Sequence, residues 1–273
     1  ELNYKVKMQK SQDIIEDINQ EKPDIVINDI LNTEENYIKS LTKKYIVINF
    51  EDLGNGAKHA DLVFNAIYPE DIVIMNHYYG SDYFLLRDEF IYAKPSNVNP
   101  RVQKVVLTFG GVDPLNLTEK VNSSIYDYCV KNDIQIEAVL GFGYNKINSL
   151  KKYPKLKIHK DLKNISVKMQ EADIIFSSAG RTMYEIASLG IPSIIIAQHE
   201  REMTHYFANK NNGFKNLGIG SKINDKIILN EFIEMVNSFE LRRFMNKSLL
   251  KNNLSKGKAN VVNIIKKFIN EKS

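Results

Sequence analysis

The chain has 273 residues, 43% of them hydrophobic and 26% charged, and its formal net charge is +4. This length and composition predict about two globular domains. The single cysteine, Cys129, excludes an intrachain disulfide and a thiolate zinc site, and we interpret it as a small buried hydrophobic residue. No apolar run approaches the roughly 18 residues of a membrane span, and no signal peptide is recognisable, so we expect a cytoplasmic protein that does not insert into a membrane.

Short apolar runs alternate with helical patterns along the chain, which predicts βα units, a parallel sheet and an α/β fold. The predicted strands cover residues 24–29, 45–50, 61–66, 104–110, 134–141, 156–160, 172–178 and 193–198. The predicted helices cover residues 10–20, 33–43, 117–131, 163–171, 180–189, 201–211, 228–237 and 257–270. The lysine-rich tail after Lys247 is interpreted as the polar face of the terminal helix, so no nucleic-acid partner is expected.

A segment with two prolines and no periodicity, residues 93–101, is typical of a linker between domains. It separates a first domain at 1–95 from a second domain at 101–256, and a terminal helix follows at 257–273. The first domain has only three predicted strands and begins at Glu1 in a loop or helix, so we expect an N-terminally incomplete domain.

Two turns after buried strands indicate a phosphate-binding site. In LTFGGVDPLNLT, Gly110 and Gly111 end a strand, and their exposed amides can face a phosphate, while Asp113 or Asn116 can cap the following helix. The alternative is a tight turn that needs a positive φ angle.

In SSAGRTMYEIASLG, small residues again follow a strand. The amides of Gly180, Arg181 and Thr182, with Ser178 before them, would point out of the carboxyl edge of the sheet, where open α/β sheets bind ligands. Glu185 lies one turn after Thr182 and can accept both hydroxyls of a ribose; the alternative is a solvated helix residue.

Three further segments carry candidate side chains. In QHEREMTH, Gln198 and His199 lie at a strand end and can face a ligand, whereas His205 is interpreted as structural. The aromatic segment 76–92 brings Tyr83, Arg87 and Glu89 either to a cleft or into packing between domains.

Glu51 and Asp52 follow a strand and are either an acid–base pair or a loop anchor. The sequence contains no Walker A loop, no Gly-x-Gly-x-x-Gly after a strand, no zinc-ligand spacing and no nucleophile elbow, so neither a metal nor another cofactor is expected.

The LTFGGVDPLNLT, SSAGRTMYEIASLGIPSIII and YYGSDYFLLRDEF segments together resemble the UDP-sugar hydrolases of pseudaminic acid biosynthesis, which act on UDP-2,4-diacetamido-2,4,6-trideoxy-β-L-altropyranose, and their relatives in spore-coat polysaccharide synthesis. The resemblance implies a glycosyltransferase-B fold, with two Rossmann-like domains and UDP or a UDP-sugar bound mainly by the second. It implies phosphate contacts near Gly110, Gly111 and residues 178–182, ribose at Glu185, uracil beside Ile158 and His159, and Gln198 toward the sugar. It also suggests a fused or associated cytidylyltransferase.

The sequence departs from this family at the catalytic half. It contains no Gly-x-Gly-His loop, and Val112 stands where the family usually has Ser or Thr. We therefore expect the chain as given not to hydrolyse a UDP-sugar at an enzymatic rate, with His199 and Asp52 as the internal candidates for a base. A hydrolase is the preferred interpretation; a glycosyltransferase and a nucleotide-sugar-binding module of a larger protein are the alternatives.

Overall fold

The computed structural model describes residues 4–69 and 74–272. The chain forms two compact units, Glu1–Tyr83 with Val261–Ser273 and Phe84–Asn260. Each unit contains a parallel sheet, as the alternation of strands and helices predicts.

The first unit has a four-stranded sheet in the order β1-β2-β3-β4. Its strands are β1 (Ile25–Asn28), β2 (Ile46–Phe50), β3 (Leu62–Asn65) and β4 (His77–Tyr79), and its helices include α1 (Ile14–Glu21) and α2 (Glu35–Leu41). Ile38 and Leu41 of α2 pack against Val26 and Val47. A separate cluster contains Ile48, Leu62 and Phe64 with Val261 of the last helix.

The second unit has a six-stranded parallel sheet in the order β10-β9-β8-β5-β6-β7. Its strands are β5 (Lys104–Thr108), β6 (Gln135–Leu140), β7 (Leu156–Lys160), β8 (Ile174–Ser177), β9 (Ser193–Ala197) and β10 (Lys215–Ile219). Its helices are α3 (Asp88–Ile91), α4 (Leu117–Lys131), α5 (Ile165–Gln170), α6 (Thr182–Leu189), α7 (Asp225–Asn237) and α8 (Phe239–Leu250), and α9 (Gly257–Lys272) begins in it.

The core of the second unit follows from the spacing of apolar residues. In α4, Leu117, Val121, Ile125 and Cys129 recur every four residues, and all four are fully buried. The interpretation of Cys129 as a buried hydrophobic residue is confirmed, and burial raises the pKa of its thiol to about 12.

The strand order places a topological switch point beside β5. The chain runs outward from β5 to β6 and β7, and then returns so that β8 pairs with the other side of β5. Loops that leave β5 and β8 therefore diverge to opposite sides, and open α/β sheets bind ligands in the crevice that this divergence creates.

All eight predicted strands are present, but two strands, β4 and β10, and two helices, α3 and α8, were not predicted. β4 is short and aromatic, and β10 contains a glycine in a partly polar sequence, so neither has the apolar run of a central strand. The first unit consequently has four strands rather than three. Helix α8 escaped prediction although Ser238 caps it, its Oγ accepting a hydrogen bond from Leu241 N at 3.2 Å.

The predicted helix at 201–211 is wrong. A 3₁₀ helix covers Glu200–Thr204, and turns follow it. Asn side chains in this segment bind the backbone locally: Asn212 Nδ2 donates to Phe207 O, and Asn209 Oδ1 accepts from Asn212 N. Such bonds compete with helical hydrogen bonds.

The compact units divide earlier than the predicted linker. Phe84 stacks on Tyr184 of α6 with ring centroids 4.0 Å apart, and Ser96 N donates to Leu189 O at 2.8 Å. These contacts attach the segment from Phe84 to Ser96 to the second unit. The predicted functional boundaries at 95, 101 and 256 stay a prediction, whereas the compact units change at Tyr83 and at Asn260.

Candidate functional site

A cleft of about 270 Å³ opens at the carboxyl edge of the second sheet, beside the switch point. The loops that follow β5, β6 and β7 and the first turn of α6 line it. Its lining residues are Arg87, Thr108, Gly110, Gly111, Val139, Leu140, Gly141, Phe142, Asp161, Leu162, Ile165, Thr182 and Glu185. A larger groove of about 790 Å³ runs along β1 in the first unit, but it contains none of the predicted site residues.

Gly110 and Gly111 form an open part of the cleft wall. Gly110 has φ +78°, a conformation that favours glycine. A Cβ atom on either residue would have no heavy atom within 4 Å among its non-adjacent neighbours. Contacts within the protein therefore do not explain the missing side chain at Gly111, whereas a ligand that approaches the backbone closely would.

The Gly110–Gly111 turn rests on the loop after β6. A Cβ on Gly141 would lie 2.4 Å from the Cα of Gly111, so only glycine permits this approach. Gly143 N donates to Gly111 O at 2.9 Å. These contacts hold the loops after β5 and β6 together as one wall of the cleft.

The turn after β8 contributes Thr182 to the cleft lining, whereas the predicted site residues Ser178, Gly180 and Arg181 are not part of it. Ser178 is buried, and α6 begins at Thr182, with no side-chain hydrogen bond from its N-cap residue Arg181. The first N–H groups of a helix have no partner within the helix and carry a partial positive charge. The guanidinium of Arg181 lies 4.8 Å from the centroid of the Phe84 ring. The backbone N–H groups of this turn can therefore bind a negatively charged group.

Glu185 and Arg87 form a partly buried ion pair in the cleft. Arg87 Nε donates to Glu185 Oε1 at 2.7 Å, and Arg87 Nη1 lies 2.9 Å from Glu89 Oε1. The side chain of Glu185 is only 11% exposed, against 52% for Arg87. Burial raises the pKa of Glu185, and the hydrogen bond from Arg87 opposes part of that rise. Glu185 is thus an oriented acceptor rather than the solvated helix residue of the alternative interpretation.

Asp113 and Gln198 are bound to each other and to the backbone. Asp113 caps α4, its two carboxylate oxygens accepting from Leu117 N at 2.7 Å and Thr118 N at 2.9 Å. Gln198 Nε2 donates to Asp113 Oδ1 at 2.7 Å, and Leu115 N donates to Gln198 Oε1 at 3.2 Å. Gln198 is buried and connects the end of β9 to this loop. The geometry supports the cap proposed for Asp113. The amide of Gln198 was predicted to face the sugar, but it binds groups of the protein.

His199 and His205 occupy different environments. His199 is exposed at the end of β9, and its Nδ1 accepts from Glu202 N at 3.4 Å. His205 is buried, and its Nδ1 lies 2.7 Å from the carbonyl oxygen of Ala179. Burial lowers the pKa of His205, which fits the structural role expected for it.

The predicted uracil contacts at Ile158 and His159 lie on β7, away from the cleft lining. Ile158 packs against the core, and His159 Nε2 lies 2.7 Å from Glu137 Oε2. Lys104 and Lys168 also bind this buried carboxylate, at 3.2 and 3.0 Å. Burial alone would raise the pKa of Glu137, but the hydrogen bonds from Lys168, His159 and Lys104 outweigh it and hold the pKa at about 2. Asp161 and Leu162, which follow β7, line the cleft instead.

Asp52 in the first unit has the geometry of a loop anchor. It is 1% exposed and accepts hydrogen bonds from Thr33 N at 2.9 Å, Gly54 N at 2.9 Å and Asn49 Nδ2 at 2.6 Å. These donors hold the carboxylate in the loop between β2 and β3. Tyr83 packs on Phe64 and Tyr78 in the same unit, so it contributes to that core.

Nine lining residues of the cleft were absent from the predicted site: Arg87, Thr108, Val139, Leu140, Gly141, Phe142, Asp161, Leu162 and Ile165. Arg87 was noted in the aromatic segment 76–92 but was not assigned to binding. The Gly-Phe-Gly sequence after β6 was the available signal, since glycine after a buried strand marks a close approach of backbone.

Among residues 4–69 and 74–272, no three His, Cys, Asp or Glu side chains are grouped so that they could hold a metal ion. Over the same residues, no helix is both long enough and apolar enough to cross a bilayer.

No family model matches the chain. An uncharacterized protein of Methanocaldococcus jannaschii is 33% identical over 223 residues, which are 74% of this chain and 46% of that protein. The spore coat polysaccharide biosynthesis protein SpsG of Bacillus subtilis is 23% identical over 259 residues, which are 89% of this chain and 76% of SpsG. The chain thus spans about half the length of the first relative.

The solved structures decide the fold. Staphylococcus aureus MnaA in complex with UDP has a TM-score of 0.66 at 13% identity, covering 98% of this chain and 83% of MnaA. Acinetobacter baumannii MurG has a TM-score of 0.63 at 14% identity, covering 93% of this chain and 76% of MurG. The chain has the glycosyltransferase-B fold. It is similar to a polysaccharide biosynthesis protein. These comparisons do not support the predicted fusion to a cytidylyltransferase.

Proposed function

We propose that the chain binds the nucleotide of a UDP-sugar in the cleft of the second unit and carries the nucleotide-binding half of a UDP-sugar hydrolase. Its substrate would be an acetamido-deoxy sugar nucleotide used in nonulosonic acid or surface polysaccharide synthesis. The observation that carries this proposal is the pair of backbone turns, Gly110–Gly111 and residues 178–182, at the switch point of the sheet.

The diphosphate would lie between these two turns. Backbone N–H groups at a helix N-terminus bind phosphate without a metal ion. The absence of side chains at Gly110 and Gly111 leaves the space that a diphosphate needs. The carboxylate of Glu185, held by Arg87, would accept the ribose hydroxyls. The complex of MnaA with UDP supports this choice of ligand, since the two chains share a fold.

The hydrolytic step rests on the resemblance of the sequence motifs to the UDP-sugar hydrolases, and the likeness to SpsG supports a role in surface polysaccharide synthesis. Water attacks C1 of the sugar, the bond from C1 to the diphosphate oxygen breaks, UDP leaves with the bonding electrons, and the attacking water loses a proton to solvent. The N-terminus of α6 and the loop amides would stabilise the charge on the departing diphosphate. His199 would act here through Nε2, because its Nδ1 faces Glu202 N.

A glycosyltransferase is the second candidate. The fold shared with MurG favours it, and an acceptor hydroxyl would then replace the attacking water.

Two measurements test the proposal. UDP titrated by calorimetry should bind equally well with and without EDTA; loss of binding in the chelator contradicts the metal-free site. UDP release from the altrose-derived sugar nucleotide, followed over time with and without candidate acceptors, separates the two reactions. Release that requires an acceptor assigns a transferase, and His199→Gln should slow either reaction.

A further inference from the structure

We propose that Phe142 stacks on the nucleobase of the nucleoside diphosphate held in the cleft. This inference rests on the proposed nucleotide site and identifies the residue that recognises its base. It concerns the loop after β6, which the sequence motifs left unassigned.

Phe142 is an exposed aromatic side chain on a fixed loop. It is 87% exposed, and among the described residues only Phe244, at 53%, is another exposed phenylalanine. Its neighbours are held in place, since Gly141 lies against Gly111 and Gly143 N donates to Gly111 O. Exposure of a large apolar ring to water is unfavourable relative to its burial. A flat ligand that covers the ring would bury it and so bind more tightly.

The position of Phe142 along the sheet matches the base end of a nucleotide. The phosphate turns follow β5 and β8, and Glu185 projects from α6 into the same cleft. β6 and β7 lie on the side of β5 away from β8. Each successive strand lies about 4.8 Å further from β5 across the sheet. A nucleotide whose diphosphate lies at the switch point therefore extends its base over the ends of β6 and β7.

A second apolar side chain lines the same cleft. Leu162, 37% exposed, follows β7 and lines the cleft together with Phe142. A planar base between a phenyl ring and an aliphatic side chain buries both of its faces, and stacking on an aromatic ring requires no particular pattern of hydrogen bonds. Phe142 would therefore contribute affinity for the base, whatever contacts distinguish one pyrimidine from another.

The chain contains no tryptophan, so a single substitution creates a specific reporter. In Phe142→Trp, saturating UDP should quench the tryptophan fluorescence with a midpoint near the calorimetric Kd. Inorganic pyrophosphate, which has no base, should compete with UDP and reverse the quenching. The matched control is Phe244→Trp, an exposed phenylalanine of α8, whose fluorescence should not respond to UDP.

Affinity provides a second measurement. Phe142→Ala should weaken UDP roughly 5- to 100-fold, the range for loss of one base–aromatic stack, and should leave pyrophosphate affinity unchanged. Phe244→Ala should change neither. Unchanged UDP affinity in Phe142→Ala, or equal quenching of Phe142→Trp by pyrophosphate, overturns the stacking role while the nucleotide site stands. If the wild-type chain binds no UDP, the proposed function fails together with this inference.

Discussion

Arg87 Nε donates to Glu185 Oε1 at 2.7 Å, which joins the segment before α3 to the first turn of α6 inside the cleft. The pair orients a carboxylate whose burial raises its pKa. Neither residue is near the other in the sequence, so this acceptor exists only in the folded chain.

The ribose assignment predicts a ligand-specific loss. Glu185→Ala should weaken UDP by about 1.5–3 kcal/mol, the range for hydrogen bonds to a charged group. It should weaken 2′,3′-dideoxy-UDP far less, because that ligand has no hydroxyls for the carboxylate to accept. Calorimetric titration of both ligands measures the difference, and equal losses would place Glu185 away from the ribose.

UDP binding should depend on pH through Glu185. The carboxylate form accepts the hydroxyls, and the pKa of Glu185 lies above its ordinary value of 4.5. Affinity should therefore fall as pH decreases through this raised pKa, at a pH above 4.5. Glu185→Gln should flatten the profile in this range; a profile that keeps its shape in the variant would assign the titration to another group.

In the free protein, the raised pKa of Glu185 makes the free energy of unfolding decrease as the pH rises. A carboxyl group whose folded pKa is raised contributes stability below its unfolded pKa, and this contribution is lost as pH rises through the folded value. Without ligand, Glu185→Gln should therefore gain stability relative to the wild type as the pH rises. Denaturant unfolding at several pH values measures this gain, and a difference that stays constant with pH would contradict it.

Gly110 and Gly111 should respond differently to alanine. Gly110→Ala forces a side chain into φ +78° and should cost about 1 kcal/mol of folding stability. Gly111→Ala meets no heavy atom within 4 Å, so its unfolding free energy should match that of the wild type. The added methyl group should nevertheless weaken UDP. Unchanged UDP affinity in a folded Gly111→Ala protein would show that no ligand approaches this turn.

Glu137 should stabilise the second unit at neutral pH, and acid should remove this contribution. Its pKa is about 2 against an ordinary 4.5, so its contribution is present above pH 4.5 and is lost as the pH falls toward 2. Glu137→Gln should cost up to about 3 kcal/mol at pH 7, from a shift of about 2.5 pKa units, and much less near pH 2.

The control is Glu171→Gln, a partner of the same lysines that is 41% exposed. It should have a much smaller effect on unfolding at pH 7, because a solvated ion pair contributes little. Equal effects of the two variants would contradict the role of burial at Glu137.

The sequence by itself determined the fold class and the two turns proposed to bind phosphate. Runs such as those of β8 and β9 are apolar throughout because both faces are buried, and such runs are recognisable without a structure. Glycines after a buried strand indicate close approach of backbone for the same local reason, and Gly110 has the positive φ that its turn requires.

Only the tertiary structure decided which side chains meet at the site. The order β8-β5-β6 brings the two turns to one switch point, and it depends on strand pairing across long stretches of chain. Gln198 was predicted to face a sugar, yet it binds Asp113, 85 residues earlier in the sequence. Arg87 reaches Glu185, 98 residues later, in the same way. A hydrogen-bonding side chain takes whichever partner the fold brings within about 3 Å, and the spacing of residues along a chain does not encode that distance.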